Sequence, residues 1–308
     1  MVADYSPIRL LHRLTGHEGA VYALCNGPEA GTFLSAGGEG WIVRWDLANP
    51  DPGRLIARVE GQVFAVTMLR EDQVVLAGDM HGGVHWIDLG DADRSRHIQH
   101  HRKGTFSFAV YDGMVFSGGG DGLITRWSSN LRQSEESLQI SGSSIRSLAF
   151  DPSGEVLAAG CSDGSICLID PLRMALRKRI ADAHLPSVFS LQFNGAGDQL
   201  WSGGRDAHLR RWDRLGRPLE MPSMAAHWYT VNALALSPDA QWLATASRDK
   251  TIRIWDTTTG ELRQTLETVR DQGHRHSVNA LFWSGEYNQL VSASDDRTVC
   301  IWTGRQGM

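Results

Sequence analysis

Residues 227–266, HWYTVNALALSPDAQWLATASRDKTIRIWDTTTGELRQTL, place apolar and polar residues alternately in four short runs: VNALAL, WLATAS, IRIWD and ELRQTL. Between the runs lie SPDAQ, RDKT and TTTG, all rich in residues that favour tight turns. Period-two alternation bounded by Pro, Gly and Asp predicts strands, and connections this short predict hairpins. The unit therefore reads as one antiparallel sheet of four strands.

The unit recurs seven times. Its third run ends at Trp45, Ile87, Trp127, Ile169, Trp212, Trp255 and Trp302, at intervals of 42, 40, 42, 43, 43 and 47 residues. The first runs begin at Val21, Val63, Thr105, Ile145, Val188, Val231 and Val278. Two residues on, every repeat carries a small residue: Ala23, Ala65, Ser107, Ser147, Ser190, Ala233 or Ala280. The next residue is always apolar: Leu24, Val66, Phe108, Leu148, Leu191, Leu234 or Leu281. Small and large residues alternating on an inner strand suit sheets that taper towards a common axis. This predicts an all-β fold, a seven-bladed propeller of four-stranded antiparallel blades spanning residues 1–308 as one domain. The last repeat stops after its third run, while residues 8–14, IRLLHRL, read as a fourth strand with no blade. Pairing the two closes the ring and removes an exposed sheet edge.

Composition narrows the picture. Apolar residues make up 42% of the 308, enough for a sizeable core, and no run approaches the ~20 apolar residues of a membrane span. A net charge of −5 argues against a general nucleic-acid binder. Cys25, Cys161, Cys167 and Cys300 form no CxxC pair, so they read as reduced residues of a cytoplasmic protein.

Trp45-Asp46, Trp212-Asp213 and Trp255-Asp256 at the ends of third strands, with Gly16-His17 and Gly273-His274 before first strands, give the chain a resemblance to the WD-repeat family over nearly its whole length. The resemblance implies a hydrogen-bonded set in each blade: a loop His, a Ser or Thr on the second strand, an Asp in the turn before the third strand, and the Trp. Four repeats match in full: His101, Ser117, Asp121 and Trp127; His184, Ser202, Asp206 and Trp212; His227, Thr245, Asp249 and Trp255; and His274, Ser292, Asp296 and Trp302. The first repeat has His17, Ser35 and Trp45 but Glu39 in place of Asp, whose extra length should alter the turn. Repeat two has Val59, Ala77, His81 and Ile87, and repeat four has Ser141, Ala159, Asp163 and Ile169. Losing one partner strands a buried polar group, whereas losing the set together can be nearly neutral. Blades two and four should accordingly be packed by apolar contacts.

Ser, His and Asp repeated at a fixed offset are structural, because active sites are grafted onto a fold once. GCSDG (residues 160–164) fits a hydrolase pattern but sits in a hairpin with no helix after it. SGGGDG (residues 117–122) lacks the Lys-Ser/Thr of a phosphate loop. His97 and His100 of HIQHH fall on an expected loop, and His81 and His85 have no third ligand nearby in sequence. No metal, cofactor or catalytic activity is expected.

The chain reads as a protein-interaction scaffold, alone or as a subunit of a larger assembly. Family members commonly bind peptides around the central channel. Two positions per repeat should line that mouth: Tyr22, Phe64, Phe106, Arg146, Phe189, Asn232 and Asn279, and Gly38, Met80, Gly120, Ser162, Arg205, Arg248 and Asp295. Aromatic residues and Arg are enriched at binding hot spots, which selects Tyr22, Phe64, Phe106, Arg146, Phe189, Arg205 and Arg248 for a peptide with an apolar anchor beside an acidic group. The alternative is a nucleic-acid-associated subunit. Residues 171–217 hold nine Lys and Arg against four Asp, a net +5, leaving −10 for the rest.

Overall fold

The computed structural model describes residues 7–219 and 223–304. Seven four-stranded antiparallel sheets follow one another around an axis. Blade six contains Val231–Leu236, Trp242–Ser247, Ile252–Asp256 and Leu262–Leu266, which are the four runs read from its sequence. A single 3₁₀ turn, Ala92–Arg94, is the helical content of the described residues.

Blade seven draws three strands from one end of the chain, Val278–Ser284, Gln289–Ser294 and Val299–Gly304, and its fourth, Ile8–Leu14, from the other. Pairing runs from Ile8 opposite Gly304 to Leu14 opposite Val299, with one shift between Leu10 and His12. Gln264 of blade six adds a clamp: its side-chain amide accepts from the Ile8 N–H and donates to the Ile8 carbonyl, both at 2.8 Å.

The core lies between blades. The buried apolar residues of the described chain fall into seven clusters, each shared by two neighbouring blades. Leu14, Val21, Phe33, Trp45, Val291 and Ile301, for example, join blade seven to blade one. Inner strands also bond across the seams. Ser107 Oγ accepts from the Leu148 N–H at 3.0 Å, and Ser147 Oγ from the Leu191 N–H at 3.1 Å. The small residue at this position thus leaves room for the taper, and as Ser it ties one blade to the next.

The expectation for blades two and four needs correction. Val59, Ala77, Ala159 and Ile169 do pack in apolar seams. Both blades nevertheless keep polar networks. In blade four, Asp163 accepts from Ser141 Oγ at 2.8 Å and Ser165 Oγ at 2.6 Å and pairs with Arg179 at 2.5 Å. In blade two, Asp79 takes over the turn, accepting from the N–H groups of His81 and Gly83 at 2.7 and 2.9 Å. A turn before the third strand still exposes backbone donors, and these demand an acceptor whether or not the His and Trp remain.

Candidate interaction site

In the five blades that keep the set, the Ser or Thr hydroxyl lies between the loop His Nε2 at 2.7–2.8 Å and the Trp Nε1 at 2.8–3.0 Å. The indole N–H donates to the hydroxyl oxygen, a neutral imidazole accepts from the hydroxyl at Nε2, and the opposite ring nitrogen meets the acid. Nδ1–carboxylate distances are 3.0 Å at Asp121, 2.8 Å at Asp206, 2.9 Å at Asp249 and 3.1 Å at Asp296. Glu39 also reaches His17 Nδ1, and its longer chain accepts from the Gly19 N–H, one residue further on than the N–H that each Asp takes. All five hydroxyl-bearing residues are fully buried, so no substrate can reach them. Ser162 of GCSDG sits in the hairpin between Leu157–Cys161 and Ile166–Asp170, with no helix behind it.

The channel mouth is built by one local device used seven times. In every blade the inner strand shifts register after its first residue, so one residue there has no opposite partner. Those residues are Tyr22, Phe64, Phe106, Arg146, Phe189, Asn232 and Asn279. A bulge bends the strand and re-aims the extra side chain. These seven line a single cavity of about 250 Å³.

Each of the seven is half-buried. The rings pack on one another around the wall, Tyr22 to Phe64 and Phe64 to Phe106 both at 5.4 Å between centroids. Arg146 holds its guanidinium over Phe106 at 4.3 Å and within 5.5 Å of the Phe189 ring. Its Nε donates to Ser162 Oγ at 3.1 Å. Among the described residues no carboxylate lies within ion-pair distance of it, and burial lowers its pKa from the ordinary value. Asn232 and Asn279 are committed instead to the next blade, donating to the carbonyls of Val278 at 2.8 Å and Val21 at 3.0 Å.

Of the sequence-selected residues, the structure gathers Tyr22, Phe64, Phe106, Arg146 and Phe189 in the cavity wall. Arg205 and Arg248 are exposed and do not line it. Sequence reading passed over Trp228 and Tyr229, which are 82% and 58% exposed, with the Arg248 guanidinium 6.0 Å from the Tyr229 ring. Their signal was position: they follow His227, just before the strand that bears Asn232.

The basic segment changes character once folded. Arg173 and Arg177 pair with Asp170, Arg179 with Asp163, and Arg214 with Asp151 and Glu155. Those four acids lie outside residues 171–217. Arg210 and Arg217 pair with Asp206 and Asp213. Lys178 donates to the carbonyls of Leu215 and Gly216. Most of the segment's charge is met at its own surface.

No curated protein sequence matches this chain. In the solved structures, the WD40 beta propeller domain of Doa1 is similar in fold, with a TM-score of 0.85 over 97% of each chain at 19% identity. The family model "WD domain, G-beta repeat" matches residues 8–46, 134–170, 220–256 and 260–303, just over half of the sequence. Seven bulged blades, five buried hydrogen-bonded sets and this match together show that the chain belongs to the WD-repeat family.

Proposed function

We propose that this propeller is a protein-interaction scaffold whose mouth receives a peptide bearing an apolar anchor beside an acidic group. Propellers of the family generally mediate protein–protein interactions. The observation that carries the finer reading is Arg146. It is a half-buried cation pressed between aromatic rings, with no carboxylate among the described residues to answer it. A partner carboxylate would gain a desolvated charge pair there, while an apolar side chain beside it would cover Phe64 and Phe106. The ion pairs across residues 171–217 count against the nucleic-acid reading. A cytosolic setting accords with the four free cysteines.

The test is to capture a partner from native cells with the intact chain and measure its affinity for variants. Arg146→Ala and Phe106→Ala should each weaken binding by about tenfold or more, the scale of a hot-spot residue. Unchanged affinity in both variants would remove the mouth from the interaction. Salt-sensitive retention on RNA in the absence of any protein would favour the basic segment instead.

A further inference from the structure

Blade two departs from the other six at three positions that converge on one point. Where they have Gly37, Gly119, Cys161, Gly204, Ser247 and Ser294, it has Asp79. Where they have Trp41, Leu123, Ser165, His208, Thr251 and Thr298, it has Gly83. Where they have Val43, Thr125, Cys167, Arg210, Arg253 and Cys300, it has His85. His97, expected on a loop, lies on the outer strand Arg96–Gln99 and pairs directly across from His85.

The two imidazoles stack with centroids 4.3 Å apart and planes 8° from parallel. His85 Nε2 is 2.8 Å from Asp79 Oδ2. One donor atom from each of Asp79, His85 and His97 lies within 4.8 Å of the other two. Gly83 explains how they meet. Its φ is not among the positive values, so its backbone does not demand glycine. A Cβ there would sit 2.2 Å from Asp79 Oδ2 and 2.7 Å from His97 Nε2. The missing side chain leaves open the space between those two atoms.

Capping the turn does not account for this arrangement. Asp79 Oδ1 alone accepts both turn N–H groups. Oδ2 is left facing the imidazoles, and the His97 side chain has no hydrogen-bond partner among the described residues. No Arg or Lys lies within ion-pair distance of Asp79 among them either. We infer that Asp79 Oδ2, His85 Nε2 and His97 Nε2 form a binding site for a divalent ion of the zinc class. Two imidazole nitrogens and one carboxylate oxygen suit Zn²⁺ and Co²⁺ better than the hard ions Mg²⁺ or Ca²⁺. Donor atoms on a tetrahedral ion are roughly 3.4 Å apart. Imidazole lone pairs lie in the ring plane, so the parallel rings must open for both to face one ion, and the exposed His97 is the ring placed to turn. The backbone bonds to Oδ1 orient the carboxylate, as an outer shell does in metal sites. His97 lies at the surface, which gives the ion a path in and leaves a coordination position for solvent or a partner side chain.

The experiment is a Co²⁺ titration of the full chain purified without a polyhistidine tag, followed by visible absorption and by Zn²⁺ displacement. One equivalent should saturate the signal, and excess Zn²⁺ should abolish it. His97→Ala alters an exposed outer strand and should fold normally, yet bind at least tenfold more weakly. Asp79→Asn should also weaken binding. His276→Ala, remote in an exposed loop, should bind as the parent does. Absence of a saturable one-to-one signal, or equal affinity in the parent and His97→Ala, would overturn the assignment.

Discussion

Ser202 accepts from the Trp212 indole and donates to His184 while fully buried, so one hydroxyl satisfies two other groups. Removing it leaves an indole N–H and an imidazole nitrogen without partners in a dry seam. Such orphaned groups cost about 1–3 kcal/mol each, well above the net worth of a hydrogen bond. Ser202→Ala should therefore lower unfolding stability by about 2 kcal/mol or more, read by urea denaturation. A change below about 0.5 kcal/mol would mean that water replaces the hydroxyl. The resemblance to the WD-repeat family implied this role, and the repeated offsets carried it from blade to blade. It could not show Asp79, His85 and His97 together, because neighbours across two strands have no fixed spacing along the chain.

The sets also act as blade-level units with a common response to acid. Burial depresses the pKa of His101, His184 and His227 below 6.5, more than their Asp partners raise it. They are neutral when folded and gain a proton more readily when unfolded, so acidification below about pH 6.5 favours unfolding. Burial opposes ionisation of Asp121, Asp206 and Asp249 too, but hydrogen bonds prevail and hold all three below the usual carboxylate value. Their contribution is present above the unfolded carboxylate pKa and disappears as pH falls through the depressed folded values. His274 is opposite in sense. Burial lowers its pKa, yet its bonds to Asp296 and Cys300 bring it up to about 9, so its contribution fades as pH rises from 6.5 towards that value. Stability should peak just above pH 6.5, with Tm falling on both sides, and a Tm unchanged between pH 7 and pH 5 would contradict the assignment of neutral histidines. At this scale the sequence was most legible in strand count and order. The inner-strand bulge was not, because it is a matter of register, and alternation of side chains alone does not say where pairing slips.

At the scale of the ring, linear counting misleads about charge and informs about closure. Residues 171–217 carry +5, but a propeller sets each outer strand beside turns of its own and neighbouring blades, and Asp151, Glu155, Asp163 and Asp170 come to meet the arginines. Closure depends on contacts between the two ends of the described chain. The strand Ile8–Leu14 covers the edge of Val299–Gly304, while Ile8 and Leu14 are buried in the seams on either side of blade seven. Deleting residues 1–14 uncovers the hydrogen-bonding edge of that strand and opens two apolar seams, each buried side chain worth about 1.5–3 kcal/mol. The deletion should lower Tm by well over 5 °C and promote self-association on size-exclusion chromatography, since an open edge pairs with whatever strand it meets. Leu14→Ala keeps the edge covered and removes only seam packing, at a cost of about 2–5 kcal/mol. If the fourth strand acts as the clasp, the point variant should lose stability yet remain monomeric, and only the deletion should associate. Equal association in both would place the weakness in the seam and not in the uncovered edge.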